Sequence, residues 1–108
     1  MVEMAIYIVI RRDLKMPRGK EVAQACHAVY GLSPCASKFK DVAMISLKTN
    51  SKKQFFQLMG EIKYLNLPYN LICDAAKTVF KEPTITCVAI GPIRRNDAPE
   101  IIKNLKIA

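Results

Sequence analysis

AIYIVIRRDLKMPRGKEVAQACHA, residues 5 to 28, decides how this chain is read. Its first six residues are apolar and of strand length, the pattern of a strand covered on both faces of a sheet. The next ten, Arg11 to Lys20, hold five basic side chains and one acid. A helix then opens from about Gly19 and runs to Tyr30, carrying Gln24 and His27, with Val22, Cys26 and Val29 on one face. In an open α/β sheet, ligands sit outside the carboxyl ends of the strands, where helix N-termini attract anions. A cationic loop at that place reads as a phosphate-handling edge.

Working outward, VAMISL at 42 to 47 is a second apolar run of strand length. With the helix between them, the two strands form a β-helix-β unit and should be parallel. A looser GLSPCASKFK segment precedes the second strand. Ser51 and Gln54 match a capping box. Phe55, Leu58, Met59, Ile62 and Leu65 follow at helical spacing as a core stripe, and Asn66 with Pro68 ends that helix. YNLIC at 69 to 73 makes a third strand, and TITCVAI at 84 to 90 a fourth, stopped by Gly91-Pro92. Asn96, Asp97, Pro99 and Glu100 open a last helix running to about Asn104. The order β-α-β-α-β-β-α predicts an α/β fold: a single three-layer α/β/α domain over residues 1–108, on a mixed four-stranded sheet.

Composition bounds the function. The chain has 108 residues, 51% hydrophobic and 24% charged, which is globular and not disordered. Lys plus Arg outnumber Asp plus Glu by 17 to 9, a net charge of +8, which favours polyanionic partners. No apolar run reaches the ~18 residues of a membrane span. The apolar start contains Glu3 and has its arginines after the run, opposite to a secretory signal, so a cytoplasmic location and no membrane partner are expected. Cys26, Cys35, Cys73 and Cys87 include no C-x-x-C pair beside a single histidine, which argues against zinc. Three of the four have apolar neighbours and are expected to be reduced core residues. Neither a G-x-S-x-G turn nor a complete phosphate-binding Walker loop is present. Cys26 and His27 are adjacent on a helix and point ~100° apart, so they form no nucleophile-base couple.

Topology then brings distant residues together. Asp74 follows the third strand as the basic loop follows the first, so parallel strands put both at one edge. The ten residues from Asp74 to Pro83 are short for a helical crossover, and the fourth strand should return antiparallel from that edge. Thr84 and Thr86 would share one face, with Thr78 in the connecting loop. Lys20, Asp74 and the threonine hydroxyls thus converge. A carboxylate beside a lysine and hydroxyls can orient a water, accept its proton and stabilise an oxyanion. The competing reading is a structural salt bridge with threonines suited to strands.

The stretches RRDLKMPRGKEVAQACHA, LPYNLICDAAKT, TITCVAIGP and NLKIA resemble, collinearly from Ile8 to Ile107, the type II peptidyl-tRNA hydrolases of archaea and eukaryotes. The resemblance implies hydrolysis of the ester joining a peptide to tRNA, with no cofactor or metal, and a homodimer. It implies catalytic roles for Lys20, Asp74, Thr78 and Thr86, and substrate or structural roles for Gln24, His27 and Arg18. Together with the charge it implies phosphate contacts by Arg11, Arg12, Lys15 and Arg18, with Arg94 and Arg95 as further candidates; Thr84, placed at the same edge by topology, is a candidate for substrate contact.

The sequence departs from the family pattern at three glycines, which are Pro17, Ala76 and Pro83 here. A backbone needing positive φ at those places tolerates such residues poorly. The region between His27 and the second strand is short, so the family's second helix is expected to be cut down or missing. These losses leave one alternative, a non-catalytic RNA-binding member of the same fold.

Overall fold

The computed structural model describes residues 3–76 and 80–108. Its central strand is β1 (Met4–Arg11), buried from Ala5 onward because both faces of the sheet are covered. β2 (Val42–Thr49) lies parallel to it, from Met4 opposite Val42 to Arg11 opposite Thr49. β4 (Thr84–Arg94) runs antiparallel along its other side, and β3 (Tyr69–Asp74) runs antiparallel to β4. β1, β2 and β3 therefore point the same way, and Arg11, Thr49 and Asp74 end them at one edge, where β4 begins.

Among the described residues the sheet has five strands, not the expected four, in the order β3-β4-β1-β2-β5. The fifth, β5 (Lys106–Ile107), pairs antiparallel with Leu47 and Lys48. Two residues have no alternation to read, so sequence periodicity passes over it. Nor does Gly91-Pro92 stop β4, which continues to Arg94. The ladder with β1 shifts register between Ala5 and Tyr7, and Gly91 takes a φ of +128° at that irregularity. A bulge lets a strand carry such residues without losing its direction.

Helices cover both faces. On one side Ile6, Ile8 and Ile10 pack with Ala28, Leu32, Cys87 and Ala89, under α1 (Arg18–Tyr30) and α2 (Ser33–Ala36). On the other, Ala5, Tyr7 and Val9 meet Phe55, Leu58, Ile62 and Ile102, from α3 (Lys52–Tyr64) and α4 (Glu100–Lys103). Ser51 caps α3, its Oγ accepting from Gln54 N at 3.0 Å, while Gln54 Oε1 accepts from Asn50 N at 2.8 Å. The expected single last helix is instead a 3-10 turn, Arg95–Asp97, followed after Pro99 by the one-turn α4. α2 is likewise a single turn, in keeping with the short segment expected there.

α1 corrects a further expectation. Val22 is 58% exposed and Cys26 is exposed, whereas Gln24 and Ala28 are buried. Small Ala25 and Ala28 let the helix approach the sheet closely, and Cys87 Sγ meets the Gln24 carbonyl at 3.4 Å. The helix is thus rolled toward β4, leaving Val22 and Tyr30 outside while Val29 still packs against the core. Of the cysteines only Cys87 is core; Cys26, Cys35 and Cys73 are free and exposed. No helix of the described residues is long and apolar enough to cross a membrane.

Candidate active site

Lys20, Gln24 and His27 stand at i, i+4 and i+7 on α1, a single polar face. That face looks onto the end of β3. Lys20 Nζ donates to Asp74 Oδ1 at 2.6 Å, and Ala76 N donates to Asp74 Oδ2 at 2.9 Å. Both carboxylate oxygens are held, and the Asp74 side chain is only 8% exposed. The hydrogen bond from Lys20, helped by the Ala76 amide, holds the Asp74 carboxyl below the usual carboxylate range against the opposing effect of burial. Ala76 reaches its position with φ +66°, the left-handed conformation expected to favour glycine. Pro17, by contrast, sits at φ −56°, which suits proline, and Pro83 is not among the positive-φ residues.

Thr86 reaches the same place by a second irregularity in β4. The β3–β4 ladder shifts between Ile72, opposite Cys87, and Cys73, opposite Ile85, leaving Thr86 as the additional residue. Ile85 packs on the α3 side and Cys87 on the α1 side, so strict alternation is broken between them. Thr86, wholly buried, donates through Oγ1 to Gln24 Oε1 at 3.0 Å and lies 3.5 Å from the Ile72 carbonyl. Bulges beside active sites commonly re-aim a side chain in this way.

The cleft so formed has a volume of about 490 Å³ and is lined by Lys20, Gln24, His27, Ile72, Cys73 and Asp74. Sequence reasoning missed Ile72 and Cys73 as lining, although their place directly before Asp74 on a strand end was the available signal. Thr84 pairs with Asp74 across the ladder, but its Oγ1 donates to the Glu82 carbonyl at 2.8 Å. Thr78 lies outside the described residues.

The basic loop divides in two. Lys15 and Arg18 are exposed beside the cleft end of the sheet, while Met16 anchors the loop inward. Arg12 pairs with Glu21 at 2.9 Å. Arg11, expected among the phosphate contacts, is turned inward, 6% exposed and paired with Asp13 at 2.8 Å. Arg94 lies opposite Met4 at the far end of the sheet, and Arg95 pairs there with Glu3. Among the described residues, no group of three His, Cys, Asp or Glu side chains is placed to hold a metal ion.

A small mixed α/β sheet with a lysine–carboxylate pair at its strand ends defines the class, and comparison with known proteins specifies it. The family model for peptidyl-tRNA hydrolase PTH2 matches residues 4–108. A peptidyl-tRNA hydrolase of Methanococcus vannielii is 38% identical over 110 residues, covering 93% of this chain and 95% of that one. One from Haloquadratum walsbyi is 35% identical, with 93% and 96% covered. A probable peptidyl-tRNA hydrolase 2 of Dictyostelium discoideum is 34% identical over 93% of this chain and 52% of its own length. A solved protein of unknown function from Agrobacterium tumefaciens shares the fold at 9% identity, with a TM-score of 0.76 over 100% of this chain and 99% of that one. The chain belongs to the peptidyl-tRNA hydrolase PTH2 family.

Proposed function

We infer that this protein hydrolyses the ester bond between peptide and tRNA in peptidyl-tRNA, releasing free tRNA. The observation that carries the inference is the 2.6 Å Lys20–Asp74 pair, opening into a cleft at the strand ends beside exposed cations. Ester hydrolysis needs a positioned water and a donor for the oxyanion of the tetrahedral intermediate. Asp74, ionised at neutral pH, orients that water. Its lowered pKa limits its basicity, so it takes the water's proton only as the new C–O bond forms, and that proton passes to the ribose oxygen as the ester C–O bond breaks. Lys20 keeps Asp74 ionised and supplies the cation for the oxyanion. Thr86 acts through Gln24, and His27 lines the substrate's path.

tRNA is held mainly through its phosphates by Lys15, Arg18 and Arg12, contacts that carry little sequence information. The protein works as a cytoplasmic homodimer. An open apolar groove between α1, α2 and β2, lined by Cys26, Val29, Phe39 and Met44, supports such pairing. Sedimentation at micromolar concentration should give twice the 12.1 kDa chain mass, and a clean monomer would remove the dimer. For the activity, catalytic amounts of protein with N-acetyl-aminoacyl-tRNA should give many turnovers of free tRNA and N-acetyl amino acid. Tight tRNA binding without product would favour the non-catalytic RNA-binding protein instead.

A further inference from the structure

We propose that Arg11 is a positioning residue, clamping the bend of β4 from which Thr86 engages Gln24 in the cleft. The proposal rests on the hydrolase reading above. Ile10 opposite Cys87 is the last paired position between β1 and β4. Arg11, the next residue, still pairs with Thr49 of β2 but with no residue of β4. At the same level the β3–β4 ladder shifts register around Thr86. The β4 backbone is therefore held least by its neighbours where it must present Thr86.

The Arg11 side chain spans that gap. Its Nη1 donates to the Ile85 carbonyl at 3.0 Å, one residue before Thr86. The guanidinium is itself fixed by Asp13, with Nε 3.3 Å from Oδ1 and Nη2 2.8 Å from Oδ2. Its Cζ lies 6.0 Å from the Phe55 ring centroid and 5.9 Å from that of Phe56, within reach of cation–π attraction. Asp13 sits in the 3-10 turn Arg12–Leu14 that follows β1 directly. A planar fork of donors holds a carboxylate bidentately and a carbonyl in one fixed geometry, which the flexible point charge of a lysine does not reproduce. Buried and fully engaged, Arg11 connects the start of the basic loop, α3 and the β4 bend. The chain Asp13–Arg11–Ile85–Thr86–Gln24 ends in the cleft.

The test uses the whole chain with Arg11→Lys and, because a buried lysine can prevent folding, Asp13→Asn as a second variant. NMR of the free protein reads the Thr86 backbone amide and the Gln24 side-chain amide. Steady-state kinetics on N-acetyl-aminoacyl-tRNA read kcat, KM and salt dependence. Both NMR signals should shift in either variant. kcat should fall about tenfold, with KM within about threefold and the salt slope unchanged, since small misplacement of reacting groups costs rate before affinity. A raised KM with a salt slope flattened by about one unit would instead make Arg11 a phosphate contact. Unchanged amide signals and kcat, with only a lower Tm, would make it a purely structural tie, and either result overturns the proposal. Wild-type protein inactive on this ester would remove the hydrolase reading, and the NMR signals would still decide the clamp.

Discussion

Ala76 holds its left-handed conformation, φ +66°, while donating to Asp74, so a side chain that disfavours this φ sits beside the central carboxylate. An L-residue there costs roughly 1–2 kcal/mol, partly offset by glycine's greater freedom in the unfolded chain. Ala76→Gly should therefore stabilise the protein by about 0.5–1 kcal/mol in urea unfolding, with the Asp74 contact kept. Asp74 itself sets an acid dependence. Its folded pKa is lowered, so its contribution to stability is fully present above the unfolded carboxylate value of about 4 and is lost as pH falls through the folded value. The stability difference between wild type and Asp74→Asn should be constant from about pH 5 to 7 and shrink below about pH 4. A difference that instead changes near neutrality would mean that Asp74 is not held ionised by Lys20.

At the scale of elements, the sequence showed the sheet's centre and the site edge more clearly than the helix faces. β1 is legible because its apolar run has strand length and is rich in β-branched residues, and the Lys20–Asp74 meeting follows from three strands running one way. On α1 only Val29 of the stripe Val22, Cys26 and Val29 packs against the core, because close approach of Ala25 and Ala28 and the burial of Gln24 decide the helix's rotation. Lys20, Gln24 and His27 share a helical spacing that was visible and describes the cleft face better. The two irregularities of β4 were illegible, since a bulge depends on the register of its partner strand. Gly91 is where this can be tested. A Cβ there would stand 2.6 Å from the Ala5 carbonyl oxygen, and its φ of +128° strains any other residue. Gly91→Ala should lower stability by at least about 1–3 kcal/mol, read from the shift in urea midpoint. An unchanged midpoint would show that β4 tolerates a side chain at its bend.

For the whole molecule, a net charge of +8 and a cleft at one end of the sheet divide binding from chemistry. Arg18, exposed at the start of α1, should contribute to counterion release, roughly one unit of log-log salt slope per neutralised phosphate. Arg18→Ala should raise KM and flatten the salt dependence while leaving kcat within several-fold. Lys20→Ala should collapse kcat with a smaller change in slope, as expected of an interaction made mainly in the transition state. Steady-state rates at several salt concentrations check both, and the reverse pattern would exchange the two roles. The most direct measurement is kcat of Asp74→Asn, which keeps the shape of the side chain and removes its charge, on N-acetyl-aminoacyl-tRNA with the fold checked by circular dichroism. It should fall by ~100-fold or more with KM little changed, the scale of one lost catalytic group. A folded Asp74→Asn protein turning over within a few-fold of wild type would contradict the assignment of the chemistry to the Lys20–Asp74 cleft.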